Sequence, residues 1–415
     1  MAPLRVLVCG GGCAGPALGF WLTHAGHHVT IVERFPILRA SGAQIDLRAQ
    51  GIQVIKRMGL LDALRRNLVD EAGMAYGDDK GNVIGTMMAN KSGKGAQGFT
   101  SEFEIMRGDF VRMLYEETKD RVKYVFGKTV ERYEQDDKRV VAYFSDGSSG
   151  EFDLLVGADG QGSRIRKAML PADAPDPYRR LGIHAAIFFI PRGITDNNIC
   201  RMFYTTGGRM IMRRTHSETE SCVILFVRDD SSQMRNLPKS PIEQQKEVWH
   251  ERFRDLGPET EVPRFLEGMK TSGDFYTQEA VQVRTDTWHK GRVVLLGDAA
   301  ACPSPFSGLG TTSAMVGAYV LAGEISRSPD DLPKAFRTYD EVLRPFTVET
   351  QNINPSLLRL AMPESRIGVS ILHSIARVAF GLGIPKLIER FSSEEKGGWK
   401  LPDYPELPRL GEESS

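Results

Sequence analysis

Residues 4–34, LRVLVCGGGCAGPALGFWLTHAGHHVTIVER, constrain the fold of this chain more than any other stretch. LRVLVC is short and rich in branched side chains, as a buried parallel strand is. Gly10, Gly12 and Gly15 follow in G-x-G-x-x-G spacing, PALGFWLTHAG (16–26) reads as a helix, and HVTIVE (28–33) is a second strand ending in an acid. The first glycine permits a tight turn, the second lets a pyrophosphate approach the backbone, and the third lets helix pack on strand. The helix start offers free N–H groups and the positive end of its dipole. Glu33 is placed to accept from ribose hydroxyls. The arrangement predicts a bound dinucleotide and leaves NAD and FAD both open.

Two later stretches share this grammar. EFDLLVGADGQGSRIRKAM (151–169) is a strand ending in Asp159, followed by Gly160, Ser163 and Arg166. GRVVLLGDAAACPSPFSGLGTTSAMVGAYVLAGEI (291–325) is a strand ending in Asp298, a Pro- and Gly-rich loop, and a small-residue helix. An acid at the carboxyl end of a parallel strand points into the crevice where α/β folds bind ligands.

The three motifs in this order resemble the class A flavoprotein monooxygenases, the para-hydroxybenzoate hydroxylase relatives. The likeness rests on GxGxxG at 10–15, DGxxSxxR at 159–166 and GDAAxxxxPxxGxG at 297–310, and runs from residue 4 to about 345. Arg107, opening MRGDFVRML, matches an arginine that family presents to its cofactor. GAQIDLRAQG (42–51) is similar to a segment of the tetracycline-inactivating monooxygenases whose aspartate lies near the isoalloxazine, and Asp46 occupies that place.

The resemblance implies FAD held extended. Adenine and its ribose would lie near Glu33 and Arg34, and the pyrophosphate near Gly12, Cys13, Ala14 and Gly15. Asp298 would bind the ribityl chain, with Pro305, Gly308, Leu309, Gly310 and Thr311 passing along the ring. Residues of the Asp159 motif would take part when NADPH or NADH visits. The implied chemistry is reduction of the flavin, addition of O2 at its C4a position, and oxygenation of an organic substrate by the resulting hydroperoxide: hydroxylation, epoxidation or Baeyer–Villiger insertion. No protein side chain is assigned as catalytic, since the cofactor carries the hard chemistry. A flavin-dependent reductase of the same fold and a non-enzymatic FAD-binding regulator are the alternatives. The family usually has His at Ala301, Asn near Thr311 and Asp near Gly317, so contacts made by those side chains elsewhere are in doubt here.

The expected fold is α/β: a discontinuous Rossmann-like FAD-binding domain of the GR2 type (1–175 and 275–345), an inserted substrate-binding β-sheet (176–274), a C-terminal helical cap (346–391) and a poorly ordered or draped tail (392–415). Strand-like runs at 181–191, 198–206, 208–215 and 220–228 supply the inserted sheet. From it Met212, Arg213 and Tyr204 are candidates for touching substrate, and Phe306 of the loop is a further wall candidate because the matching tetracycline-destructase position touches substrate. A largely apolar aromatic or polycyclic molecule is expected.

Composition excludes several other classes. Lys+Arg and Asp+Glu balance at 53 each, so there is no basic excess for a nucleic acid. Five cysteines without C-x-x-C spacing and eight scattered histidines give no disulfide framework and no metal site. The longest apolar run, 367–384, is broken by His373 and Arg377, so no integral membrane segment is expected, and the docking of these helices on a membrane surface stays open. The expectation is a cytoplasmic monomer or homodimer.

Overall fold

The computed structural model describes residues 2–39, 42–89, 102–385, 387 and 398–411. The expected cap and tail therefore lie partly outside the described residues.

The strand Arg5–Cys9 forms the middle of a six-stranded sheet. Its neighbours are Leu154–Gly157 and His28–Glu33, with Val293–Leu295 and Lys123–Phe126 beyond them, all parallel. His289–Lys290 adds an antiparallel edge. Val6, Leu7, Val8, Leu154, Leu155, Val156 and Val293–Leu295 are fully buried, in one core with the covering helices and with a three-stranded antiparallel sheet of Val130–Gln135, Val140–Phe144 and Ser149–Phe152. The opening helix, Ala14–His24, packs against the long helix Gly310–Arg327, whose small residues permit that approach. At Gly317 the long helix lies close to the strand end instead: a Cβ there would lie 3.2 Å from Leu296 and 3.4 Å from Leu343, so the acid usual near this position in the family would require both leucines to shift.

A seven-stranded sheet lies apart from the first. Its order is Phe275–Val283, Tyr178–Pro191, Glu220–Arg228, Arg209–Thr215, Ile199–Thr205, Gly73–Gly77 and Val83–Met88. Only the pairing of Ile199–Thr205 with Gly73–Gly77 is parallel. The expected boundaries at 176 and 274 cut across this sheet, since Gly73–Gly77, Val83–Met88 and Phe275–Val283 come from stretches assigned by sequence to the other domain. Its outer face is closed by helices Ile242–Phe253 and Val262–Thr271, through Trp249, Phe253, Phe265 and Met269. Its inner face has a separate core.

The described part of the tail follows the draped alternative. Residues 398–411 run over the back of the nucleotide-type domain. Leu401, Tyr404 and Leu407 are buried in its core. Tyr404 Oη donates to Glu324 Oε1 at 2.7 Å, and the Leu410 N–H donates to the Arg57 carbonyl at 3.0 Å. Aromatic and leucine side chains spaced through a Pro-rich segment gave too little periodicity for this to be read from sequence.

Candidate functional site

The crevice at the carboxyl ends of the parallel strands gathers all three sequence motifs. Gly10 takes φ +117°, and a Cβ on it would strike the Ala158 carbonyl. The Gly10 N–H donates to Val32 at 2.8 Å, closing the turn. Glu33 Oε2 accepts from the Gly11 N–H at 2.8 Å and Oε1 from the Phe35 N–H at 3.0 Å, so the carboxylate is fixed at the strand end. Arg34 is exposed, with its guanidinium over the Phe35 ring.

The helix that starts at Ala14 has Cys13 as its N-cap, no side-chain cap and no acid in its first turn; the helix that starts at Gly310 has Leu309 as N-cap and the same properties. Two uncapped helix starts with unopposed dipoles form an anion site. Space is available as well. A Cβ on Gly12 would meet only Arg107 Nη2, at 3.5 Å, and on Gly160, Gly162 or Gly310 nothing within 4 Å. The residues present therefore fit an extended, phosphate-bearing ligand.

Asp298 lies in a single 3₁₀ turn, Gly297–Ala299, beside the start of the opening helix. Burial pushes its carboxyl up to about 6, with the Cys302 thiol, Arg107 and Arg166 pulling it back. Cys302 is buried, as expected of a small apolar residue, and its thiol donates to the Val281 carbonyl at 3.8 Å. Because the folded state holds this proton more tightly than the unfolded chain, the group's stabilisation is full below about 4 and lost as pH rises through about 6. In the flavin-free protein, Asp298→Asn should abolish that loss. The stability gap between variant and wild type, read by urea titration, should widen by about 3 kcal/mol from pH 4 to pH 7.

Asp159 is engaged with its own turn. Its Oδ1 accepts from Ser163 Oγ at 2.5 Å and its Oδ2 from the Arg164 and Ile165 N–H groups at 2.7 and 3.3 Å. The carboxylate ties its own turn and starts the helix Arg164–Met169. Arg166 is fully buried and links two motifs: Nη1 donates to the Ala299 carbonyl at 2.9 Å, Nη2 to the Gln161 carbonyl at 2.5 Å. The loop between Asp298 and the long helix carries backbone strain, with Ser304 at φ +81°. That bend lets the turn Pro305–Ser307 stand out toward the seven-stranded sheet. Thr311 continues the first turn of the long helix, where the next residue's hydroxyl, Thr312 Oγ1, accepts from the Arg48 N–H at 3.0 Å.

Strand pairing sorts the inner face of that sheet into rows. Phe226, Met210 and Tyr204 are paired across three strands, and Ile224, Met212, Met202 and Tyr76 across four. Phe306 reaches this face from the loop, its ring 5.7 Å from Phe226. Tyr204 stands next to Tyr76, ring centres 5.8 Å apart, and burial pushes its phenol up to about 12. Met212 and Tyr204 thus lie on the expected side. Arg213 does not: side chains alternate along a strand, so it faces the outer layer. It is buried there against Asp196, at 3.7 Å, and donates to the carbonyls of Asn197 and Ile199.

The inward arginine is Arg214, missed at the sequence level. Its Nη2 meets Glu71 Oε1 and Glu104 Oε2, each at 2.6 Å, with all three side chains largely buried. Asp46 belongs to the same nest, pairing with Arg48 at 2.9 Å and lying 3.7 Å from a Cβ built on Gly308. Burial raises the Glu104 carboxyl to about 9; Arg214 opposes that rise, and Asp46 and Glu71 add to it. With Glu104 protonated, two guanidiniums balance two carboxylates, a condition for burying so many ionisable groups. Arg107, at the start of its helix, donates to the Arg39 carbonyl and packs against Gly42. The loop it touches is fastened to the sheet: the Ala43 N–H donates to Tyr276 Oη at 3.3 Å, and Gln44 to the Thr215 carbonyl at 2.8 Å.

Known proteins share this arrangement. Residues 3–329 match the FAD binding domain family. The FAD-dependent monooxygenase asL6 of Sarocladium schorii is 37% identical, covering 97% of this chain and 99% of that protein. The flavin-dependent monooxygenase eupH of a Phoma species is 36% identical, with 99% of each chain covered. Among solved structures, tetracycline destructase Tet(51) superposes with a TM-score of 0.76 at 29% identity, over 97% of this chain and 100% of that one. The Klebsiella pneumoniae HpxO complex with FAD and uric acid shares the fold, with a TM-score of 0.72 at 20% identity, over 93% and 95%. The glycine turn, the Asp298 loop and the sheet facing it are the parts of one enzyme: the chain belongs to the class A FAD-dependent monooxygenases.

Proposed function

We propose that this FAD enzyme uses NADPH or NADH and O2 to place one oxygen atom on a largely apolar ring substrate lying between Phe306 and the inner rows of the seven-stranded sheet. The observation that carries this is the meeting of Phe306 with Phe226, which brings the loop after Asp298 over a face of Met210, Met212, Met202, Ile224 and Tyr204. Thioethers and rings present large, adaptable apolar surface and few hydrogen bonds. The likeness to a tetracycline destructase supports a multi-ring substrate.

When bound, FAD supplies electron transfer from the nicotinamide and activation of O2. The chain's own residues do the rest. In this reading Glu33 and Arg34 lie at the adenosine end, and Gly10, Gly12, Cys13, Ala14 and Gly15 give backbone N–H groups and dipole to the pyrophosphate. Asp298 holds the ribityl hydroxyls. Pro305, Gly308, Leu309, Gly310 and Thr311 run along the ring, with Arg107 and Asp46 at its edges. Glu104 would lie behind Asp46, held by Arg214. The apolar rows exclude water.

The test is the visible spectrum of the purified protein, then NADPH and NADH oxidation with and without a panel of aromatic compounds. A flavin spectrum with substrate-stimulated, oxygen-dependent oxidation is expected. FAD-loaded protein inert to both nucleotides would overturn the reading in favour of a reductase with another donor, or of a regulator. Gly12→Val separates cofactor placement from folding, because the new side chain meets only the end of Arg107. The variant should stay folded with wild-type thermal stability and lose flavin affinity by about a hundredfold, near 3 kcal/mol; a variant as yellow as wild type would show that the pyrophosphate lies elsewhere.

A further inference from the structure

The stretch that carries Asp46 and Arg48 bends sharply into the helix Gln50–Arg57. The bend is made at Ala49, with φ +39° and ψ −111°. That is close to the first central position of a type II′ turn, which glycine normally fills. Alanine is strained there, and such a conformation persists only where its surroundings hold it. Ala49 is held from both sides. Toward the crevice, the Arg48 N–H donates to Thr312 Oγ1 at 3.0 Å, and a Cβ on Gly51 would come within 2.9 Å of the same oxygen. Away from the crevice, Gln50 is 1% exposed and donates from Nε2 to the Trp399 carbonyl at 2.8 Å.

Trp399 belongs to the C-terminal segment and is itself fastened. Its indole Nε1 donates to the Val342 carbonyl at 3.0 Å, and its ring lies 4.9 Å from that of Phe346. Further along the segment, the Pro402 carbonyl accepts from Arg57 Nη1 at 2.8 Å. Gln50 and Arg57 are the first and last residues of their helix, so the C-terminal segment grips it at both ends. What the helix start controls lies on the crevice side. Asp46 Oδ2 accepts from Arg48 Nη2 at 2.9 Å and faces Gly308, in the loop after Asp298, at 3.7 Å from a Cβ built there.

We propose that Gln50 is a positioning residue: held by the Trp399 carbonyl, it keeps the strained Ala49 bend closed and so sets Asp46 and Arg48 against the flavin edge, a role that rests on the placement of Asp46 there under the proposed function. The C-terminal segment, on the far side of the domain from the crevice, thereby becomes a determinant of the flavin's surroundings. A carboxylate and a guanidinium beside the ring each favour one of its charge states and together tune how readily it accepts electrons. With the segment undocked, the glycine turn at Gly10 still holds the cofactor, but that tuning is lost.

The experiment is spectroelectrochemical titration of the FAD-loaded full chain, which gives the midpoint potential of the bound flavin with its visible spectrum. Asp46→Asn measures the effect of the carboxylate itself. Gln50→Leu keeps the bulk of the side chain and loses the donor; it should shift both potential and spectrum with flavin content unchanged. Trp399→Phe leaves Gln50 in place and removes the indole bond to Val342, so it should give a smaller shift in the same direction, whether or not Gln50→Leu folds. Ala49→Gly relieves the bend of its strain, and adding it to either variant should return both signals toward wild type, a rescue that a merely structural role does not predict. Tyr404→Phe loosens the same segment away from Gln50, by deleting the bond to Glu324, and should lower stability with the flavin signals unmoved. A potential moved by Asp46→Asn but by neither Gln50→Leu nor Trp399→Phe overturns the proposal and leaves the reading of the site intact. A shift that Ala49→Gly does not reverse overturns it as well. A potential unmoved by Asp46→Asn overturns the placement of Asp46, and the proposal with it.

Discussion

Arg214→Met should lower stability by about 3–5 kcal/mol, the largest effect expected from any single side-chain truncation in the substrate sheet. Methionine is close in length and keeps the packing, so the loss comes from charge alone. Glu71 and Glu104 would be left facing each other in the interior with no cation between them, near Asp46. Burying an unpaired carboxylate costs far more than its ion pair contributed. Denaturant titration of the variant, with and without Glu71→Gln, checks the cause. The second change removes the stranded charge and should restore most of the loss; a double variant no more stable than Arg214→Met would refute the account. Arg213→Met probes the opposite face and its pair with Asp196, and its rescue should depend on Asp196→Asn instead.

Gly15→Val should prevent the cofactor domain from folding, in contrast to Gly12→Val three residues earlier. Any Cβ at 15 would run into the Gly10 carbonyl oxygen, with Val8 directly behind at 3.4 Å. Neither is the end of a flexible chain. The opening helix would have to lift off the central strand, opening a core that includes Ala17, Leu18 and Trp21. Expression of the two variants separates the outcomes: a folded, colourless protein for Gly12→Val, aggregated material for Gly15→Val. A soluble, cooperatively unfolding Gly15→Val protein would mean that the turn is far softer than its geometry.

What the amino-acid order revealed was the part of the molecule whose backbone demands special residues. The turn at Gly10, the strand ends at Asp159 and Asp298 and the loop from Pro305 each require glycine, proline or an acid at a fixed offset, and all of them line one crevice. Side-chain partners across the sheet were less legible. Met212 and Arg213 cannot both face inward, because the two-residue period of a strand puts Met212 with Arg214. Glu71 and Glu104 carry no motif, because their role depends on strands brought together from 73–77, 104–106 and 209–215. Asp159 stood out by its motif, while the hydrogen bonds it accepts from Ser163, Arg164 and Ile165 had no signal of their own.

The course of the chain through the six-stranded sheet has a consequence for biosynthesis. Its central strand comes from residues 5–9, its neighbours from 28–33 and 154–157, and the next from 293–295, while residues 399–410 close over Arg57, Tyr319 and Glu324 from behind. A ribosome delivers these pieces in order, the strand Val293–Leu295 nearly three hundred residues after the central one. The dinucleotide crevice therefore cannot be completed before the strand Val293–Leu295 and the loop after it have been made. Strand Arg5–Cys9 must wait beside half-built neighbours with its apolar face uncovered, which makes this topology slow to complete and dependent on protection from aggregation. FAD can be captured in its final form only after Val293–Leu295 has joined the sheet, and residues 399–410 act as a latch on a fold begun by residues 5–9.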